Sequence, residues 1–255
     1  MKIVKRLGLI ALLVYLGMGT FLYIKQRSFL YFPTPNIETQ YPNMTLKNDG
    51  ENINVFVLNE GHEHAILYFG GNAESMAQST GYIAAQFPTF TLYLMDYRGY
   101  GASTGEASEE ALYRDALKLY DTVAPKHTSI SIGGRSLGSG VATYVASKRE
   151  VSKLALITPF DSILSVAEGK YPIYPVSCLL TDTYDSAGRV KSIKAKTFIV
   201  MAENDRVIPR KNTQNLINAF DARQVEVATI KNRGHIDVSS DVRYYKIMQD
   251  FIGEG

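Results

Sequence analysis

The chain has 255 residues, 45% of them hydrophobic and 20% charged, and a formal net charge of +2. That length and apolar content suit one globular α/β domain with a substantial core. The balanced charge gives no reason to expect nucleic acid or an acidic partner. The single cysteine, Cys178, excludes an internal disulfide and a paired-cysteine metal site, and reads as a small hydrophobe. There is no internal repeat and no low-complexity tract.

The N-terminus differs from the rest. Residues 7–24 carry no charge. As a helix they span roughly 27 Å, close to the thickness of a bilayer core. Lys2, Lys5 and Arg6 precede this run and Lys25 and Arg27 follow it, a slight asymmetry that favours a cytoplasmic N-terminus. Tyr23, Phe29, Tyr31 and Phe32 suit the membrane interface. Residues 1–27 therefore read as a single-pass anchor. A signal peptide cleaved near Gly17-Met18-Gly19 is the alternative, although the apolar run continues to Ile24; a soluble buried helix is a third reading. No cysteine lies nearby, which excludes a lipoprotein. Anchor and signal peptide alike place the folded domain, residues 28–255, outside the cytoplasm: periplasmic in a bacterium, or secreted after cleavage.

Residues 26–41 read as a linker with Pro33 and Pro35 in it and Pro42 beside it. Beyond it, strand and helix patterns alternate. Strands are expected at 53–58, 65–69, 90–95, 128–133, 153–157, 197–201 and 225–230, and helices up to 86, at 106–123, 137–148, 212–220 and 238–252. This alternation predicts a mostly parallel twisted sheet with helices on both faces. Residues 159–192 break the pattern, with two prolines in Tyr171-Pro-Ile-Tyr-Pro175 and no clear strand. They are enough for a small cap over the C-terminal strand ends, where ligands bind in such sheets.

Gly134-Arg-Ser-Leu-Gly138 follows the strand expected at 128–133 and precedes a helix. This is G-x-S-x-G in the setting that gives it meaning, a sharp strand-to-helix turn that pushes a serine Oγ out of the sheet. Ser136 is the candidate nucleophile, and it needs a base oriented by a carboxylate. Of four histidines, His62, His64 and His127 fall at the wrong ends of strands, whereas His235 follows the last strand and is the candidate base. The acid belongs between serine and histidine in chain order. Asp205, just past the strand at 197–201, is the first candidate. Asp161 and Glu203 remain alternatives, and Asp161 reads equally as a helix N-cap. An oxyanion needs two preorganised donors. The Leu137 N–H supplies one. The loop Gly70-Gly71-Asn72 lets backbone approach closely, and the Asn72 N–H is the second candidate. Phe160, Tyr171, Ile173 and Tyr174 are candidates to line a substrate pocket in the cap. The elbow glycines lack the lysine of a P-loop and the third glycine of a dinucleotide fingerprint, and His62-x-His64 has no third ligand. No metal or cofactor is expected.

With these residues in place, the chain resembles the α/β-hydrolase superfamily along nearly all of residues 28–255. It looks most like small membrane-anchored serine hydrolases of the bud-emergence-protein type, relatives of α/β-hydrolase-domain depalmitoylases. The echoes are Ser28-Phe-Leu-Tyr-Phe-Pro33, Gly71-Asn-Ala73, Asp96-Tyr-Arg-Gly-Tyr-Gly-Ala-Ser103, the elbow, Thr158-Pro-Phe160, Asp205 with Val207-x-Pro209, and Gly234-His235. One position departs: the family usually has His-Gly-Asn-Ala where this chain has Gly70-Gly71-Asn72-Ala73, so a side chain that would help fix the oxyanion loop is missing. The resemblance implies a membrane-tethered hydrolase acting on esters or thioesters of small-molecule or acylated substrates through an acyl-enzyme. Amide or peptide cleavage by the same triad, and a non-catalytic binding protein on this scaffold, are the alternatives.

Overall fold

Residues 2–253 are described by a computed structural model. Its sheet has eight strands: β1 (Asn43–Asn48), β2 (Glu51–Leu58), β3 (His64–Phe69), β4 (Thr91–Met95), β5 (Ser129–Arg135), β6 (Lys153–Ile157), β7 (Lys196–Ala202) and β8 (Val225–Ile230). They run in the order β1-β2-β4-β3-β5-β6-β7-β8. β2 is antiparallel to β1 and to β4, and every other pairing is parallel. The chain crosses from β4 over β3 to β5, so the order reverses beside β3 and leaves a crevice at the C-terminal ends of β3 and β5.

Nine α-helices accompany the sheet in the described residues: α1 (Lys2–Leu30), α2 (Met76–Gln86), α3 (Glu109–Val123), α4 (Leu137–Lys148), α5 (Ile163–Lys170), α6 (Val176–Leu179), α7 (Ser186–Arg189), α8 (Arg210–Ala219) and α9 (Val242–Gly253). Two buried layers sandwich the sheet. One joins Leu112 and Leu119 of α3, Val141 and Val145 of α4 and Leu216 of α8. The other joins Met76 and Ile83 of α2 to Tyr244, Met248 and Phe251 of α9. All five residues of β4 are buried, which is why that strand reads as an unbroken apolar run rather than an alternation.

The expected strands and helices form, with instructive differences. β1 had no counterpart in the expected strands. It is an edge strand of alternating exposure paired to β2 through Asp49-Gly50, both at positive φ (49° and 81°). Asp-Gly in a two-residue turn is a strong hairpin signal, and it was there to be read. α3 starts at Glu109 rather than 106 because Ser108 caps it, its side chain accepting from the Ala111 N–H at 3.2 Å. The last helix is interrupted: a short 3-10 turn covers Val238–Ser240, then extended Asp241 accepts from the Arg243 N–H at 3.0 Å and starts α9.

The largest correction concerns the linker at 26–41. Its first five residues continue α1 to Leu30, and Tyr31 is buried, bonded to Tyr184 Oη at 2.9 Å and donating to Asp182 Oδ2 at 3.2 Å. α1 is long and apolar enough to cross a membrane. It is also laid along the cap. Tyr15, Gly19, Leu22, Gln26 and Leu30 form a half-buried stripe at helical spacing, while the rest of the helix is exposed. The Tyr15 ring stacks on Tyr174 with centroids 4.8 Å apart, and its hydroxyl donates to the Ile173 carbonyl at 2.8 Å. Gln26 accepts from the Thr181 N–H at 2.8 Å, and Arg27 pairs with Asp182 at 3.0 Å.

Candidate active site

Ser136 sits between β5 and α4 at φ 48°, ψ −115°, a left-handed conformation that a serine occupies only when its surroundings impose it. They do: its N–H donates to the Ile157 carbonyl at 2.9 Å, and the flanking glycines allow close packing. A Cβ on Gly134 would strike the Gly138 carbonyl and Ala142, and one on Gly138 would strike the Phe69 and Gly70 carbonyls. The start of α4 is thereby pressed against the end of β3.

His235 lies in the loop after β8. Its Nε2 is 2.8 Å from Ser136 Oγ, and its Nδ1 is 2.8 Å from Asp205 Oδ2. Both side chains are nearly buried, at 11% and 10% exposure, which strengthens the interaction between them. Asp205 follows β7 and is fixed by its own loop, Oδ1 accepting from the Val207 and Ile208 N–H groups at 2.9 and 2.8 Å. An ionised Asp205 accepts only, so Nδ1 carries the proton and Nε2 is left to accept from the serine.

The alternative acids are engaged elsewhere. Asp161 is buried and accepts from the Ser162 N–H, Asn212 and Asn215, each at 2.8 Å. It is not the N-cap of α5; Ser162 is, accepting from the Ser165 N–H at 2.9 Å. Glu203 holds the loop that carries His235 through the Asn232 N–H at 2.8 Å. His127 meets the Tyr93 hydroxyl at 2.9 Å and His64 meets Ser129 at 2.9 Å, both among the N-terminal strand ends.

Opposite the histidine, the loop from Gly70 to Glu74 faces Ser136 across the N-terminus of α4. Leu137 opens α4, where N–H groups lack intrahelical partners. The Gly71 N–H is taken by Glu74 Oε2 at 2.7 Å. The Asn72 side chain is pinned three ways: Nδ2 donates to the Leu30 carbonyl at 2.6 Å, and Oδ1 accepts from the Phe32 N–H at 2.9 Å and the Tyr100 hydroxyl at 2.7 Å. Ala73 takes a positive φ of 60° to make the turn.

No side chain stands at position 70, and a Cβ there would meet the Met76 methyl. Other groups brace the loop. The Tyr97 hydroxyl donates to the Gly70 carbonyl at 2.8 Å, and the Tyr68 hydroxyl to Glu74 at 3.1 Å. Burial holds both phenols well above their usual range, so they stay neutral donors. Arg135 completes the frame. It approaches Glu74 at 3.5 Å and donates to the His235 and Ile236 carbonyls at 3.2 and 2.8 Å, joining the Gly70–Glu74 loop to the loop that carries the histidine. The roles of Arg135, Glu74 and Tyr97 were not read from the sequence; the arginine inside the G-x-S-x-G motif was the available signal.

A mainly apolar cleft of about 770 Å³ lies over Ser136 and His235. Phe160, Tyr171 and Tyr174 line it, as do Leu22 and Tyr23 of α1. Ile173 does not: it is 70% exposed in the turn between Pro172 and Pro175. Cys178 is exposed on α6.

The fold recurs in known proteins, and the sequence has relatives. An esterase of Pyrococcus furiosus superposes with a TM-score of 0.70 at 14% identity, over 88% of this chain and 97% of that one. Protein bem46 of Schizosaccharomyces pombe is 24% identical over 281 residues, 99% of this chain and 94% of its own length. Alpha/beta hydrolase domain-containing protein 17B of Xenopus laevis is 24% identical over 75% of this chain and 67% of its own. The chain has the α/β-hydrolase fold and resembles α/β-hydrolase domain proteins in sequence. An uncharacterized protein of Mycobacterium tuberculosis is 29% identical over 89% of this chain and 86% of its own length. No family model matches the chain.

Proposed function

We propose that this α/β-hydrolase is a serine esterase or thioesterase working through an acyl-enzyme. The observation that carries the reading is the hydrogen-bonded chain from Ser136 Oγ through His235 to Asp205, 2.8 Å at each link. Ser136 Oγ attacks the acyl carbon as His235 Nε2 takes its proton. Asp205 orients the imidazole and stabilises the imidazolium. The oxyanion settles on the Leu137 and Asn72 N–H groups. His235 then protonates the departing alcohol or thiol, and the C–O or C–S bond breaks. Water, deprotonated by the same histidine, attacks the acyl-serine, and the carboxylic acid leaves as the proton returns to Ser136. Every acid, base and donor in this scheme is a protein group. The bracing of the oxyanion loop by Glu74, Tyr97 and Asn72 supports a catalytic site despite Gly70.

Residues 1–27 are read as an uncleaved anchor and 28–255 as the hydrolase domain, held at a membrane outside the cytoplasm. The intact mass of membrane-extracted protein tests this; loss of the first twenty or so residues would instead mean signal cleavage. Fluorophosphonate labelling tests the chemistry. Wild-type protein labels and Ser136→Ala does not; folded wild-type protein that resists labelling would overturn the esterase reading.

A further inference from the structure

The inner stripe of α1 is a wall of the cleft. Gly19, Leu22 and Tyr23 border it on one side, and Tyr171, Tyr174 and Leu179 of the cap on the other. The outer faces of both walls are apolar as well. On α1, Leu9, Leu12, Leu13, Leu16 and Phe21 are each half or more exposed. Across the cleft, no residue between Lys170 and Asp182 carries a charge, and Ile173 is 70% exposed at the tip of that segment. So much contiguous apolar surface is costly in water, and a hydrocarbon medium removes that cost.

The lengths agree. α1 has 29 residues, so it runs for about 43 Å against a hydrocarbon core of about 30 Å. Its last turns, from Lys25, therefore emerge beside the hydrolase domain. The contact of Tyr15 with Tyr174 and Ile173 lies about 13 Å back along the helix from Ile24. A helix that crosses the bilayer over residues 7–24 thus carries the cap tip down with it, below the level of the headgroups.

We propose that α1 and the uncharged cap segment form a bilayer-immersed portal and acyl-chain site. A long-chain acyl ester or thioester resident in the lipid slides sideways between them, its chain along Leu22 and its carboxyl carbon at Ser136. The helix is then a part of the substrate site and more than a tether. This deepens the esterase reading and rests on it for the identity of the reacting group. The location of the portal stands on geometry alone.

The chain contains no tryptophan, so a single introduced indole reports its own surroundings. Full-length Ile173→Trp, reconstituted in phosphatidylcholine vesicles with dibrominated acyl chains, is expected to lose roughly half its fluorescence. Glu63→Trp, exposed just before β3 at the opposite end of the sheet, is expected to be unaffected. Equal quenching of the two variants overturns the immersion. In a second arm, Leu22→Trp is titrated with a fluorophosphonate so that only folded sites are counted. Its ratio of kcat/KM for a 16-carbon to a 4-carbon p-nitrophenyl ester is expected to fall about tenfold or more. A ratio within about twofold of wild type removes α1 from the acyl site. If the wild type neither labels nor turns over the 4-carbon ester, the esterase reading falls, and the quenching arm still decides the portal.

Discussion

The two walls of the cleft are held by different physics. On the sheet side, Ser136, Asp205 and His235 follow β5, β7 and β8, three strands whose spacing is set by backbone ladders. Each reaches the site within a few residues of its strand end and is then locked by short local bonds, such as the Val207 and Ile208 N–H groups on Asp205. The outer wall has no ladder. α1 meets the cap through side chains more than 150 residues apart in sequence: one stacked tyrosine pair, one ion pair with a half-exposed arginine and a few hydrogen bonds. A reaction needs reacting atoms placed to a fraction of an ångström, whereas an acyl chain needs only an apolar slot of adequate width. On the proposed reading, the stiff half of the molecule carries the chemistry and the softer half selects the chain.

Substitutions at the stiff wall have the largest expected effects. Ser136→Ala is expected to lower kcat for a short p-nitrophenyl ester by about 10⁵–10⁶ and to abolish labelling. Asp205→Asn should cost about 10⁴ in kcat through the wrong imidazole tautomer, while Asp161→Asn, remote from His235, should cost less than about tenfold. The reverse ranking would move the acid to Asp161. Glu74→Gln weakens the charge-assisted bond to the Gly71 N–H and loosens the oxyanion loop, with about a tenfold loss in kcat and little change in KM. A KM effect without a kcat effect would show that the loop binds substrate rather than the transition state.

At the soft wall, Tyr15→Ala removes the stack on Tyr174. It should lower stability by about 0.5–1.5 kcal/mol in a denaturant titration while fluorophosphonate labelling of Ser136 stays within about twofold. A large loss of labelling would erase the distinction between the walls. The smallest effect is expected at Asp96, whose carboxyl burial pushes above the usual carboxylate range despite bonds from Asn54 and Ala102. A raised folded pKa means that the protonated form is favoured by folding; that contribution is present at low pH and lost as pH rises through the raised value. Asp96→Asn keeps an acceptor without the charge. Its Tm relative to wild type should therefore be higher at pH 8 than at pH 4, and a difference independent of pH would contradict the shift.

Much of this was legible in advance because the relevant signals are local. The elbow at 134–138, the strand at 225–230 and the helix at 137–148 each state their conformation within a few residues, through glycines, β-branched runs and apolar spacing. The order Ser136, Asp205, His235 follows from where a doubly wound sheet delivers its loops. Beyond β1, whose Asp49-Gly50 turn was a local signal, the two misses around the site share one cause. Residues 26–30 read as linker because nothing beside them says that Thr181 and Asp182 wait to receive Gln26 and Arg27. Gly70 read as a loosened loop because two of the groups that brace it, Tyr97 and Arg135, come from other strands and turns.

The sequence alone thus determined most of the strands and helices, the apolar N-terminal run and the candidates for the hydrogen-bonded chain, since patterns of periodicity and turn chemistry act over short distances along the chain. Tertiary structure decided which groups brace the oxyanion loop, that Ile173 faces outward and that α1 closes the cleft. Those outcomes depend on which surfaces of distant segments fit together, and packing free energy is a property of the assembled pair that neither segment encodes by itself.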